Sequence, residues 1–188
     1  MKEVILLSGA RGAGKSTFGE SLQASGLAFV KPEEGANTEG QRAALAQKRE
    51  FYLNNGISFA YECESLSEVE AIAKEAKTHG FATHLLFLGF SEVELYLGRA
   101  FIAKYGVRAL NSPNLAPLLE ELLSQVAAGL RDAVENFARV AKQCEKAYIY
   151  DNSTQKPKIC FKSCGEVVEF VMPKEFCPQW VGDLVKGF

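Results

Sequence analysis

Eight consecutive residues, Gly9-Ala10-Arg11-Gly12-Ala13-Gly14-Lys15-Ser16, satisfy the pattern G-x4-G-K-[S/T] in full. Each residue type has a reason to be there. Glycines let a loop turn its backbone N–H groups inward around an anion, and the start of a following helix adds the positive end of its dipole. Lys15 is placed to neutralise outer phosphates, and the Ser16 hydroxyl is a ligand for Mg²⁺. Phosphate contacts are therefore expected from Gly9, Ala10, Arg11, Gly12, Ala13, Gly14, Lys15, Ser16 and Thr17, with Ser16 as the metal ligand.

A phosphate loop is common to GTPases, motor ATPases and small-molecule kinases. An Asn-Lys-x-Asp base-reading motif, usual in a GTPase, does not occur in the sequence. The run Ile57-Ser58-Phe59-Ala60-Tyr61 leads into Glu62, where a strand beside the loop-bearing strand would end in an acid. Glu62 is accordingly a candidate ligand for Mg²⁺-bound water or for an acceptor. Transfer of a phosphoryl group gathers negative charge on its oxygens, so guanidinium groups near a lid suit it. No acidic residue lies between Glu94 and Glu120, whereas Arg99, Lys104 and Arg108 do. Arg99 and Arg108 are the candidates for that role, and Lys104 reads as a solvated neighbour. A hydroxyl acceptor also needs its proton removed, usually by a carboxylate at a strand end. Glu33 or Glu34, after the second strand, is the candidate base. His79 and His84 receive no role.

The elements that must hold these residues alternate. Continuous apolar runs predict strands at 4–7, 27–30, 57–61, 82–88 and 147–150, and 3.6-residue periodicity predicts helices at 16–24, from Thr38 to about 53, 65–77, 91–105 and 118–144, the last softly interrupted by Gly129. Residues 31–37 and 106–117 carry Pro and Gly and read as loops, the second as a lid. Residues 158–162 and 166–171 read as a hairpin, and the tail from Pro173 as a short docking helix packed on the domain. Strands alternating with crossover helices predict an α/β fold: a three-layer phosphate-loop architecture with a mostly parallel five-stranded sheet and a C-terminal β-hairpin.

The 188 residues suit one domain, a core over 1–153 followed by the hairpin and tail at 154–188. Apolar residues at 47%, with a mean hydropathy of −0.04, supply a sizeable core and exclude disordered and collagen-like classes. A formal net charge of −2 argues against nucleic acid or anionic lipid as a partner. The Met1–Ser8 segment is too short in apolar run for a signal peptide, and no stretch approaches a bilayer span. Five cysteines, an odd number, fit reduced thiols in the cytoplasm. Cys160 and Cys164 form a Cys-x3-Cys pair without a nearby histidine, a poor zinc pattern.

Four stretches together resemble the zeta-toxin family of phosphate-loop kinases: Ile5–Ser16, Phe59-Ala60-Tyr61-Glu62 followed by a serine-rich segment, His84–Tyr96 leading to Arg99, and Ala147-Tyr148-Ile149-Tyr150-Asp151-Asn152-Ser153. The resemblance spans residues 3–155. It implies ATP with Mg²⁺ and transfer to a hydroxyl group of a small metabolite, in the best-known members that of the sugar in uridine-diphosphate-N-acetylglucosamine. By position it implies that Lys15 and Ser16 hold phosphate and metal, that Arg99 and Arg108 reach the transferring phosphate, that Glu62 is near the acceptor, and that adenine lies near Asp151-Asn152-Ser153. Three departures stand out: Lys31-Pro32-Glu33-Glu34 in place of an aspartate base, Cys63-Glu64 in place of small hydroxyl residues, and Gly106-Val107-Arg108 in place of a glycine-histidine lid. They motivate an alternative, a nucleotide-binding regulatory module without transfer. The family also implies a toxin held by an antitoxin protein.

Overall fold

The computed structural model of the protein describes residues 2–32, 39–154 and 156–188. Seven strands form one sheet in the order β2-β3-β1-β4-β5-β6-β7. The first five, β1 (Glu3–Ser8), β2 (Ala28–Val30), β3 (Phe59–Glu62), β4 (Ala82–Gly89) and β5 (Lys146–Asp151), are parallel to one another. Helices α1 (Lys15–Ala24), α2 (Glu39–Asn54), α3 (Leu66–Thr78), α4 (Val93–Tyr105) and α5 (Leu115–Gln143) provide the crossovers. The predicted hairpin, β6 (Lys158–Cys164) and β7 (Val167–Val171), turns at Gly165-Glu166 and continues this sheet as two antiparallel strands. The expected five parallel strands are thus extended to a sheet of seven.

Alternation along the strands fills both faces. Val4 and Leu6 of β1, Phe59 and Tyr61 of β3, Leu85 and Phe87 of β4, and Ala147 and Ile149 of β5 point into the larger core, where α3 brings Val69, Ile72 and Ala76 and α5 brings Phe137 and Val140. Leu7, Ala60 and Leu86 point the other way, onto Phe18 and Leu22 of α1. Strands covered on two faces read as unbroken apolar runs, which is why β1 and β4 were legible.

Some boundaries differ from the sequence expectation. β3 begins at Phe59, with Ile57 40% exposed ahead of it. The expected loop at 106–117 holds a short 3-10 helix, Val107–Asn111, and α5 starts at Leu115. Pro117 falls in the first turn of α5, where its missing N–H has no intrahelical partner to lose. Gly129 does not break α5. A Cβ there would stand at ordinary contact distance, 3.5 Å, from Ala10, so α5 passes directly beside the phosphate loop at this point. Thr38, the expected cap of α2, lies outside the described residues.

The tail helix α6 (Gln179–Leu184) buries Val181 and Leu184 in the larger core, and the Trp180 ring lies 2.5 Å from where a Cβ on Gly89 would be. All five cysteines are free thiols, and no helix among the described residues is long and apolar enough to cross a membrane. Because Leu184 is 3% exposed, Leu184→Ala is expected to cost about 2–5 kcal/mol of stability, read as a lowered denaturant midpoint. A change below about 0.5 kcal/mol would show that the tail is not part of the folding core.

Candidate functional site

β1 ends at Ser8 in the middle of the sheet, and the loop 9–14 carries the chain to the start of α1. Two features of that turn are dictated by glycine. Gly12 has φ +84°, and a Cβ there would collide with the carbonyl oxygen of Tyr96 in α4. Gly14 caps α1 with φ 89° and ψ 20°, a left-handed conformation costly for other residues. No side chain caps α1, and no acid occupies its first turn. Its leading N–H groups and dipole are left for an external anion.

Lys15 is half-buried and donates from Nζ to the Gly9 carbonyl at 2.9 Å and the Ala10 carbonyl at 3.4 Å. Burial lowers its pKa from the ordinary lysine value, and attraction to Glu62 partly opposes that. Ser16 donates its hydroxyl to Oε2 of Glu62 at 2.7 Å. This pairing follows from topology: β3 lies beside β1, with Glu62 in register with Leu7, so the acid at the end of β3 meets the first turn of α1. The hydroxyl and carboxylate are oxygen donors of the kind Mg²⁺ takes, usually one or two from protein with substrate phosphates and water completing the shell. No group of three or more His, Cys, Asp or Glu residues is arranged for a metal among the described residues, which that mode of binding does not need.

Arg99 projects from α4 to the loop. Its Nη1 lies 3.7 Å from the place of a Cβ on Gly14, and its guanidinium stacks over the Phe90 ring at 4.4 Å. Asn152, just past β5, donates from Nδ2 to the Ala13 carbonyl at 2.9 Å, while its own N–H donates to the Gly89 carbonyl at 2.8 Å. Ala10 and Ala13 are buried, Thr17 is exposed on the first turn of α1, and Arg11 reaches across to Gln125 of α5 at 3.1 Å.

Lys15, Ser16, Glu62, Arg99 and Asn152 are therefore brought to one loop. Arg108 is not: it is exposed on the 3-10 helix and makes no hydrogen bond, ion pair or ring contact among the described residues. Lys104 is held by Glu121 of α5 at 2.9 Å. Glu33 and Glu34 lie outside the described residues. Cys63 is buried beneath the site, where desolvation pushes its thiol pKa well above the ordinary value.

A cleft of about 110 Å³ opens beside the first half of the loop, lined by Arg11, Glu64, Ser65, Gln125, Gly129 and Asp132 among others. Asp132 accepts the Leu66 N–H at 3.2 Å and Ser65 accepts the Glu68 N–H, which fixes the start of α3 against the cleft. Sequence reasoning missed Gln125 and Asp132, whose only signal was a polar position on the apolar side of a long helix, and Phe90, which carried no signal at all.

No protein-family model matches the sequence, and no curated protein does. Among solved structures, a chain of the PezAT chromosomal toxin–antitoxin system of Streptococcus pneumoniae superposes with a TM-score of 0.60 at 14% identity, over 99% of this chain and 88% of that one. The resemblance to the zeta-toxin family holds at the level of fold. A chain of the AvrRxo1-ORF1:ORF2 complex superposes with a TM-score of 0.58 at 13% identity, over 98% of this chain, which spans 64% of that one. At such identities the likeness shows the zeta-toxin-like fold alone.

Gly12→Ala is expected to destabilise the protein by about 2–4 kcal/mol, combining left-handed strain with the clash at Tyr96. Gly98→Ala in α4, with nothing within 4 Å of the added Cβ, should be neutral or gain up to about 1 kcal/mol. Equal denaturant midpoints for the two variants would contradict this account of the loop.

Proposed function

We propose that the protein is an ATP- and Mg²⁺-dependent phosphotransferase that moves the γ-phosphate of ATP to a hydroxyl group of a small metabolite. The observation that carries this reading is the convergence of Lys15, the Ser16–Glu62 pair and Arg99 on one glycine loop whose helix N-terminus is uncapped. Those groups supply what phosphoryl transfer requires, positioning and positive charge around oxygens that gain negative charge.

In this reading the loop amides and Lys15 hold the β- and γ-phosphates, and Arg99 meets the transferring group. Ser16 and Glu62 would hold Mg²⁺, which neutralises phosphate oxygens when bound. The acceptor enters the cleft between Arg11, Glu64 and Asp132. Its hydroxyl oxygen forms a bond to the γ-phosphorus as the bond to the bridging oxygen breaks, ADP leaves, and the hydroxyl proton passes to a carboxylate. Glu33 is the proposed base, Arg108 a second arginine that would have to move in with a closing lid, and Asn152 the neighbour of adenine. A nucleotide sugar is the first acceptor to test. The exposed position of Arg108 favours one second reading, a nucleotide-binding module without transfer. The PezAT assembly makes an antitoxin the partner proposed for this chain.

ATP turnover with and without nucleotide sugars, nucleosides and aminoglycoside-type alcohols tests the reading. Acceptor-dependent turnover is expected, with Lys15→Ala reducing it at least about a hundredfold and Glu62→Gln raising the Mg²⁺ concentration needed. Tight MgATP binding with no phosphorylated product would establish the regulatory module instead. Equal growth on induction of the wild type and of Lys15→Ala would reject toxicity.

A pH dependence follows from Lys15. Phosphate binds the protonated amine, so MgATP affinity should be complete below the free-state pKa of Lys15 and fall as pH rises through it. Because burial lowers that pKa, the fall should begin below 10.5. Isothermal titration between about pH 7 and pH 10 should show it in the wild type and not in Lys15→Met, and a flat wild-type profile would refute it.

A further inference from the structure

We infer that Phe90 and Tyr96 are positioning residues that hold the Arg99 guanidinium at the phosphate loop on an aromatic platform, in advance of any ligand. The inference rests on the phosphotransferase reading for what Arg99 does, and on geometry alone for how it is held.

Several basic groups elsewhere in the molecule are held by carboxylates: Lys31 by Glu20, Arg49 by Glu75, Lys104 by Glu121, Arg139 by Glu70 and Lys162 by Glu169. Arg99 has no carboxylate partner among the described residues. Its guanidinium lies over the Phe90 ring at 4.4 Å. The difference has a chemical consequence. A carboxylate would occupy two of the five N–H donors and cancel the charge, whereas a ring face attracts the cation through its quadrupole and leaves every in-plane donor free for phosphate oxygens.

The platform is itself fixed. Phe90 is 2% exposed and follows directly after β4, and its ring meets the Tyr96 ring edge-on with centroids 4.8 Å apart. The Phe90 N–H donates to the Tyr96 hydroxyl at 2.7 Å, a buried bond that ties the strand end to the first turn of α4. Tyr96, 1% exposed, has its own carbonyl directly against Gly12. Both rings pack with Ala10 and Ala13 of the loop, Leu88 and Val126 in a separate small core. Loop, ring and guanidinium therefore form one packed unit, the lock at Tyr96 and the cation at Arg99 being three positions apart on α4.

The test is a double-mutant cycle between Phe90→Leu and Arg99→Ala, with Phe90→Tyr as the conservative control. Phe90→Leu should lower turnover about two- to fivefold, the scale of an exposed cation–π contact, with the KM for MgATP changed less than kcat. Phe90→Tyr should restore it, and in the Arg99→Ala background Phe90→Leu should have little further effect. A readout free of chemistry accompanies it: the Arg99 side-chain proton resonances should be shifted upfield by the ring in the ligand-free wild type and return toward ordinary values in Phe90→Leu. Unmoved Arg99 resonances, or an equal loss in both backgrounds, would overturn the platform while leaving the phosphotransferase reading intact. Shifted resonances in a protein that transfers no phosphate would overturn that reading and uphold the platform.

Discussion

The architecture depends on how closely backbone meets backbone around the loop at 9–14. Gly12 lies against a carbonyl of α4, Gly9 against the Leu88 carbonyl of β4, and the Ala13 carbonyl is held by Asn152 from the end of β5. Side chains larger than hydrogen cannot enter the first two contacts. The loop is thereby held to one path, an arrangement that free glycine-rich chain would lose considerable entropy to adopt. The parallel topology is what makes this possible, since it delivers the ends of β1, β3, β4 and β5 to one edge.

Charge is distributed around that edge with the same economy. The near-neutral total hides a local separation. Several cations on the periphery, such as Lys104 and Arg139, are matched by carboxylates, while Lys15 rests on loop carbonyls and Arg99 on a ring, neither of them cancelled by a direct ion pair. Glu62 meets Ser16 and not Lys15. Such an edge carries an unsatisfied demand for negative charge, and burial of the Lys15 ammonium increases it.

Much of this was legible in the sequence, and for a reason. The loop is a contiguous motif whose function is local, and the buried parallel strands announce themselves as apolar runs. The meeting of Ser16 with Glu62 was readable in outline because strand ends collect at one edge. What escaped depends on register between distant elements. Nothing in Phe90 as a residue type reveals that α4 returns to lay Arg99 on it. Gly129 looked like a weak point in a helix, yet α5 runs unbroken through it. Pro117 suggested a longer loop, because proline in a first turn and proline in a loop read alike without the caps. Arg108 shows the reverse case, a residue with the right type and spacing whose backbone leaves it exposed.

The contact between Trp180 and Gly89 has a practical meaning. Trp180 is the single tryptophan of the chain, so all indole emission comes from one ring, and that ring leans on the strand end whose carbonyl anchors Asn152 and, through it, the loop. The protein carries its own optical reporter, one bond network away from the glycine loop and outside it. The indole emission therefore reports on the packing of the tail against the end of β4, without a label attached to either.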